Sequence, residues 1–393
     1  MVHDVQLLTR VGFILTFDAT GWLGGISYFR NLLGAVAALP QPRIAPVIFA
    51  GNRTPVEVME QFPKFPIVRS SLLDQRGLQW FARRGVAKTL GRDVALERIL
   101  SLHGAQILSH QGFLGGLGRV LPLGWIPDFQ EHHFPDFFTP AELRSRANKR
   151  ALFCSVCPRI ILSSNHARHD LETLAPHCVN RARVLPFVAD IVAPASSDSV
   201  QVVSRLGING RYFHLPNQFW AHKNHVVVIE ALRILKSRGQ MVTVVASGNT
   251  GDHRQPSYFV QLMAYAHKSG VEDLFLAVGM LPYKDLVALM MGAIAVINPS
   301  RFEGWSTTVE EAKSLGKTIL LSDIEVHHEQ QPQRGFFFSP DDAHGLATLM
   351  WDTFRAYDEE VDKEARLKAQ AVLPERRLNF ARSYEGIVLE ALA

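Results

Sequence analysis

Residues 298–316 concentrate the groups with the most chemistry: Asn298-Pro299-Ser300-Arg301-Phe302-Glu303-Gly304-Trp305-Ser306-Thr307-Thr308-Val309-Glu310-Glu311, then Ala312 on to Gly316. An apolar run ends at Asn298-Pro299, a polar loop carries Arg301 and Glu303, and a helix is expected to begin. Thr307 with Glu310 three residues later has the spacing of a capping box, which specifies a helix N-terminus locally. Exposed N–H groups and the positive end of the dipole at such a terminus suit a phosphate. Glu303 precedes that terminus and Glu311 lies about one turn inside it. Ionised carboxylates only accept hydrogen bonds, so the pair is complementary to sugar or ribose hydroxyls. Beside a diphosphate, two carboxylates also call for a cation. Lys223, in Gln218-Phe219-Trp220-Ala221-His222-Lys223-Asn224-His225, follows an earlier strand-like run and precedes a helix-like one, and it supplies that charge.

Such groups need a scaffold whose strand ends converge. The 393 residues, 47% hydrophobic and 20% charged, have an ordinary globular composition long enough for two or three domains, which excludes disorder and coiled coil. Short apolar runs alternate with helical stretches, as parallel βαβ units do. Strands are expected at 11–17, 44–49, 106–109, 123–126 and 160–163. Gly21-Trp22-Leu23-Gly24-Gly25 reads as a turn before a helix at 26–39, and another helix is expected at 165–174. A strand at 184–188 runs into an Ala-, Ser-, Asp- and Pro-containing connection, 189–200, which marks a domain boundary. The pattern then restarts, with strands at 212–215, 242–246, 275–278, 293–297 and 318–321 and helices at 225–236, 258–268, 283–291 and 307–315. Residues 352–393 read as helices broken at Pro374. The expected fold is α/β: two doubly wound Rossmann-like domains, 1–187 and 188–374, facing each other across a cleft, with helix 375–393 packed back on the first. Ligands in such sheets bind beyond the carboxyl ends of the strands.

The first 187 residues hold 21 basic and 13 acidic side chains and the remainder 20 and 24, so an acidic partner suits the first half. Cys154, Cys157 and Cys178 cannot pair completely, which favours a reducing compartment and buried thiols. Cys154 and Cys157 with His166 and His169 offer four zinc ligands only superficially, because the strand expected at 160–163 separates them. No apolar stretch is long enough for a membrane span, and residues 11–17 end at Asp18 without a cleavage-like region, so a cytoplasmic location is expected. The stretch 76–92 carries five basic and no acidic residues with Leu78, Trp80 and Phe81 among them. It reads as a solvated basic helix or as a contact with an anionic membrane surface, the inner face, or a lipid-linked acceptor. Gly112–Gly118 lacks the surroundings of a dinucleotide fingerprint and reads as a mobile loop. Glu131-His132-His133 follows a strand end, where sites in α/β folds collect.

Phe302-Glu303-Gly304, the separation of Glu303 from Glu311 and the closing Gly316 resemble the signature of the retaining family-4 glycosyltransferases, which have a GT-B architecture and a nucleotide-sugar donor. Further segments fall in that family's order: Gly24-Gly25, Trp125-Ile126-Pro127-Asp128-Phe129-Gln130, 163–171, Leu185-Pro186-Phe187, Lys223 and Gly279-Met280-Leu281-Pro282. The resemblance covers almost the whole chain. Residues 125–138 and 218–225 are most similar to the bacterial branch that builds surface polysaccharides, which includes mannosyltransferases.

By that resemblance Glu311 accepts from the donor ribose and Glu303 meets hydroxyls of the transferred sugar. Lys223 neutralises the diphosphate, whose oxygens also meet the first-turn groups of Ser306, Thr307 and Thr308. Gly25 lets the main chain approach the phosphate, and backbone near Leu281 reads the base. Two departures stand out. Gln218 occupies a position where many members have arginine, and Arg301 is the candidate to compensate. Pro127-Asp128 replaces a common His-Asp, which leaves Asp128 and one of His132 and His133, with His133 preferred, to reach the sugar. The implied reaction is retaining and independent of metal or cofactor, GDP-mannose is the first donor to try, and the acceptor is a hydroxyl of a glycan, a lipid-linked sugar or a small polyol. A nucleotide-sugar isomerase of the 2-epimerase type shares the two domains without this pattern of paired glutamates. A nucleic-acid-binding protein is suggested only by the basic first half, whose cations are not interleaved with stacking aromatics, so no nucleic-acid partner is expected.

Overall fold

A computed structural model describes residues 8–16, 23–191, 193–252 and 254–393. Phe17, Asp18, Gly21 and Trp22, part of the expected first strand and turn, lie outside them. The chain divides into two compact units, 1–188 with 375–393, and 189–374.

The first unit carries β1 (Thr9–Ile14), β2 (Ile44–Ala50), β3 (Ile67–Arg69), β4 (Ile107–His110), β5 (Leu121–Ile126), β6 (Arg159–Leu162) and β7 (Ala182–Val184). They form a parallel sheet in the order β3-β2-β1-β4-β5-β6-β7. The second carries β8 (Tyr212–Leu215), β9 (Thr243–Ser247), β10 (Phe275–Gly279), β11 (Ala295–Asn298), β12 (Ile319–Ser322) and β13 (Gly335–Phe338). Their order, again parallel, is β10-β9-β8-β11-β12-β13. Phe13, Ile48, Leu108, Phe213, Val244, Val296 and Leu320 are fully buried, which explains why these strands read as unbroken apolar runs rather than alternating ones. Helix His225–Ser237 buries Val228, Leu232 and Leu235 at helical spacing against the second sheet, with Ala347 and Met350 of helix Ala343–Ala356 in the same core. In both orders the winding reverses, beside β1 in one and beside β8 in the other, and that reversal is where open α/β sheets bind ligands.

Several expectations need correction. Gly24 and Gly25 lie in the first turn of helix Leu23–Ala37 rather than in a turn before it. Helix Ser196–Arg205 begins inside the expected connection and is tied down by Ser199, which donates to Ala288 O at 2.7 Å. Pro374 does not break the last segment: helix Glu359–Leu392 runs through it. Proline removes one helical hydrogen bond. Here that loss is outweighed by anchors on either side, with Lys317 and Arg334 paired to Asp362 before the proline, and Arg43 paired to Glu385 and Tyr384 Oη on Ser109 Oγ after it. The short β3 and β13 and helix Glu325–Gln330 carry too little periodicity to have been expected.

The cysteines also differ. Cys154 and Cys178 are joined by a disulfide, with Cα atoms 5.5 Å apart, because helix Pro140–Val156 and the 3-10 turn Pro176–Arg181 pack together. Cys157 is a buried thiol, its pKa pushed up to about 12 chiefly by burial. Residues 112–118 are laced to the segment before them: Gly116 N donates to Gly91 O, Asp93 N donates to Gly116 O, and Arg83 donates to Gly112 O. Gly115 comes so close to Gly91 that a Cβ would lie 2.5 Å from Gly91 O.

Candidate functional site

The winding reversal of the second unit puts the ends of β8 and β11 side by side, and the polar loops that follow them are stitched together. Asn217, two residues beyond β8, donates from Nδ2 to Asn298 Oδ1 at 3.0 Å and to Ser300 Oγ at 3.2 Å. Thr308 Oγ1 returns a bond to Asn217 Oδ1 at 3.3 Å. Asn298, fully buried at the end of β11, donates to Ser306 Oγ at 2.7 Å. Ser306 is the N-cap of helix Thr307–Leu315, accepting from Val309 N, and the expected Thr307–Glu310 capping box does not form. Glu310 instead turns to Lys313 and Gln330, and Gln330 also bonds the backbone N–H and carbonyl of Ser306. Gly316 ends the helix in the left-handed conformation, φ 67°.

Lys223 sits in the 3-10 turn Ala221–Lys223, and Asn224 behind it adopts φ 55° so that its side chain can donate to Pro299 O and Pro340 O. Arg301 N donates to His222 O at 2.8 Å. These bonds hold Lys223 where its Nζ lies 2.7 Å from Glu303 Oε1. Glu303 is 9% exposed. Burial raises its pKa, but the Lys223 ammonium, His327 and hydrogen bonds from Lys223 and Ser300 outweigh that and hold the carboxyl below its usual range. Glu311 is buried at the same helix start. Burial is the first cause lowering the His327 pKa, against the opposing pull of Glu303; its Nδ1 lies 2.8 Å from Ser322 O, and among the described residues its buried Nε2 has no hydrogen-bond partner. His222 is neutral, its pKa driven down to about 2 by burial first and then by Lys223 and Arg254.

The second unit therefore assembles Lys223, Glu303, Ser306, Thr307, Thr308 and Glu311 about one helix terminus. Gln218 is in the same loop, partly buried. Arg301 is exposed and paired with Asp341 at 2.6 Å, so its charge is already engaged. Leu281 follows the end of β10 and packs its side chain against a small core around Leu289 and Tyr212. Asn217, Asn224, Asn298, Gln330 and His327 were not expected as parts of the site. The available signal was a polar residue ending a buried strand, as Asn298 does.

In the first unit the reversal brings the end of β4 beside β1. His110 there is fully buried at φ 74°, within 2.9 Å of Tyr28 Oη and 2.7 Å of Ser109 Oγ. Asp128 Oδ1 accepts from Gln130 N at 3.2 Å and lies 3.5 Å from Arg146. His133 Nε2 lies 3.0 Å from the Asp170 carboxylate, and His132 is exposed with its ring edge-on to that of His133. Gly25 is buried in its helix.

Residues 209–369 match the family model for glycosyl transferases group 1. No curated protein matches the chain by sequence. The chain is similar to a solved glycosyltransferase from Rickettsia africae, at 13% identity and TM-score 0.69, over 98% of this chain and 99% of that one. It is similar to Anabaena HepE in complex with UDP and glucose, at 17% identity and TM-score 0.70, over 97% and 99%. Sucrose-phosphate synthase from Thermosynechococcus elongatus is similar at 15% identity and TM-score 0.67, over 97% and 99%. At such identities the likeness concerns architecture, and the two parallel sheets with flanking helices match the GT-B fold of these structures.

Proposed function

We propose that the protein is a retaining glycosyltransferase that moves a sugar from a nucleotide-sugar donor to a hydroxyl of a glycan, a lipid-linked sugar or a small polyol. The observation that carries this is the Lys223–Glu303 pair at the capped start of helix Thr307–Leu315, inside the segment that matches the family model. A diphosphate arriving there takes the ammonium and the first-turn N–H groups of Thr307 and Thr308. Glu303, relieved of its partner, accepts from hydroxyls of the transferred sugar, and Glu311 accepts from the ribose. With Gln218 neutral and Arg301 engaged, Lys223 is the principal cation. Asp128 and His133 keep the sugar-side role that the resemblance assigns.

In the proposed reaction the bond from the anomeric carbon to the diphosphate breaks as the acceptor oxygen adds on the same face. A phosphate oxygen of the departing nucleoside diphosphate takes the acceptor proton. Catalysis then consists of preorganised stabilisation of the leaving charge and of an oxocarbenium-like sugar, without a metal. The test is a panel of nucleotide-sugars with detection of released nucleoside diphosphate, in buffer and in excess chelator. GDP-mannose is tried first. UDP-glucose comes next, because HepE is known with UDP-glucose bound. Release from one donor, unchanged by chelator, is expected. Failure of every donor to bind by calorimetry would overturn the proposal, and a sugar altered without transfer would favour the isomerase.

A peripheral membrane contact is proposed for helix Leu78–Leu90. Its buried side is Arg83 and Ala87, with Arg83 paired to Asp93, and it exposes Leu78 by 91%, Phe81 by 57% and Val86 by 48% beside Arg84 and Lys88. Arg92 is spent on Glu97, so fewer cations face outward than the sequence suggested. Apolar side chains flanked by cations suit an anionic interface. No helix among the described residues is long and apolar enough to cross a membrane. Flotation with anionic liposomes should fall in Leu78→Ser/Phe81→Ser/Arg84→Gln, and unchanged flotation would remove the idea.

A further inference from the structure

The first unit carries a surplus of positive charge beyond the carboxyl ends of its strands, where ligands of such sheets bind, and the proposed transfer leaves it unexplained. Arg146, Lys149, Arg150 and Phe153 stand at positions i, i+3, i+4 and i+7 of helix Pro140–Val156 and so share one face. That face meets the loops beyond two adjacent strands, β4 and β5. Phe153 is buried against Phe113 of the first loop, ring centroids 5.4 Å apart, and Arg146 lies 3.5 Å from Asp128 of the second. Glu131, in helix Gln130–His133, pairs with Arg146 at 3.1 Å and with Arg150 at 3.4 Å.

Lys149 is the cation left over. Among the described residues it has neither a hydrogen bond nor an ion pair; the residue is exposed, and its ammonium lies over the Phe153 ring, 5.3 Å from the centroid. Loss of water is the first cause lowering its pKa, followed by the Arg146 guanidinium, with Asp128 opposing. An ordinary surface lysine keeps its ammonium in water. This one gives up part of that hydration beside a like charge and gains no counter-ion, an arrangement that an entering anion relieves. We propose that Lys149, with Arg146 beside it, binds a phosphate group of the acceptor. Two cations at one spot suit the double charge of a phosphate, and lysine serves phosphate as a point charge. Asp128 ties the cluster to the sugar side of the proposed transfer, so the acceptor class is a sugar phosphate or a sugar linked to a lipid through phosphate. That the anion belongs to an acceptor rests on the proposed function; that an anion binds here rests on side chains of the first unit alone.

Mannose 6-phosphate is titrated into the full chain by calorimetry, with GDP and UDP present in excess to occupy the proposed donor site, and mannose is the uncharged comparison. Binding of the phosphate and not of mannose is expected. It should weaken about tenfold or more in Lys149→Gln, return in Lys149→Arg, and stay unchanged in Lys268→Gln, an exposed lysine of the second unit. The melting temperature without ligand should be the same in Lys149→Gln as in the unaltered protein. The lipid source is tested by flotation with liposomes holding a polyprenyl diphosphate-sugar, against liposomes of equal charge from phosphatidylglycerol. A preference for the first that Lys149→Gln abolishes assigns the phosphate to a lipid-linked acceptor. If neither GDP nor UDP binds while Lys149-dependent binding of phosphate persists, the anion site stands and the donor site alone falls. No binding of either phosphate probe, or binding equal in Lys149→Gln and the unaltered protein, would overturn the inference.

Discussion

Lys223 and Glu303 form a largely buried ion pair, and removing one member of such a pair usually costs about 3–5 kcal/mol because the other charge is left uncompensated. Lys223→Ala should therefore have two separable effects. Turnover should fall about a hundredfold or more, the loss typical of one charge contact in a preorganised site. Stability should fall as well. In Lys223→Ala/Glu303→Gln the stability should return while activity stays lost, and nucleoside diphosphate release beside a thermal melt reads both. Activity retained in Lys223→Ala would remove the proposed placement of the diphosphate. Glu303 also has a pH signature. Its folded pKa is depressed, so its contribution is present above the ordinary glutamate value and is lost as pH falls through its lowered one. Lys223→Ala should erase that part of the acid limb.

Helix Thr307–Leu315 starts at Ser306, not at a Thr307 box, and its start is tied to β11 through Asn298 and to helix Glu325–Gln330 through Gln330. Ser306→Ala should cost about 1–2 kcal/mol, the high end for a cap, because it also strands the Asn298 amide. Thr307→Ala should leave the cap intact. Urea unfolding curves with equal slopes would show the difference, and equal midpoints would refute the capping assignment. At the other end, Gly316→Ala would place a Cβ 2.5 Å from Ala365 O at a positive φ, so it should destabilise by more than about 1 kcal/mol.

Across the molecule, burial holds several histidines neutral. His110, His214 and His225 have pKa values lowered to about 3 and His222 to about 2, burial being the first cause for each. In the unfolded chain they titrate near 6.5. Between that value and the folded ones the unfolded state binds more protons, so stability should rise with pH over this window. Each histidine can add a slope of up to about 1.4 kcal/mol per pH unit. His214, His222 and His225 belong to the second unit, which should lose stability first when urea unfolding is followed from pH 7 to pH 5. A midpoint independent of pH over that range would contradict the burial of these rings.

Local pattern alone determined much of this protein. Tyr212–Leu215, Tyr258–Lys268, Asn165–Leu174 and Thr307–Leu315 were legible to the residue, because period, flanking polar residues and length agree within each segment. Glu303, Glu311 and Lys223 stood out for the same reason: each lies in a polar loop or first turn next to a strong apolar run. Tertiary structure decided what depends on distant partners. Lys223 meets Glu303 across 80 residues, and Asn217 joins Asn298 across 81, only because β8 and β11 are neighbours in the sheet. Ser306 rather than Thr307 caps its helix because Asn298 and Gln330 hold it, and Pro374 stays helical because salt bridges and buried hydroxyls anchor both sides of it. Strand order is non-local, and no run of neighbouring residues encodes it; the chemistry of each loop is written in the chain, while the company it keeps is set by packing.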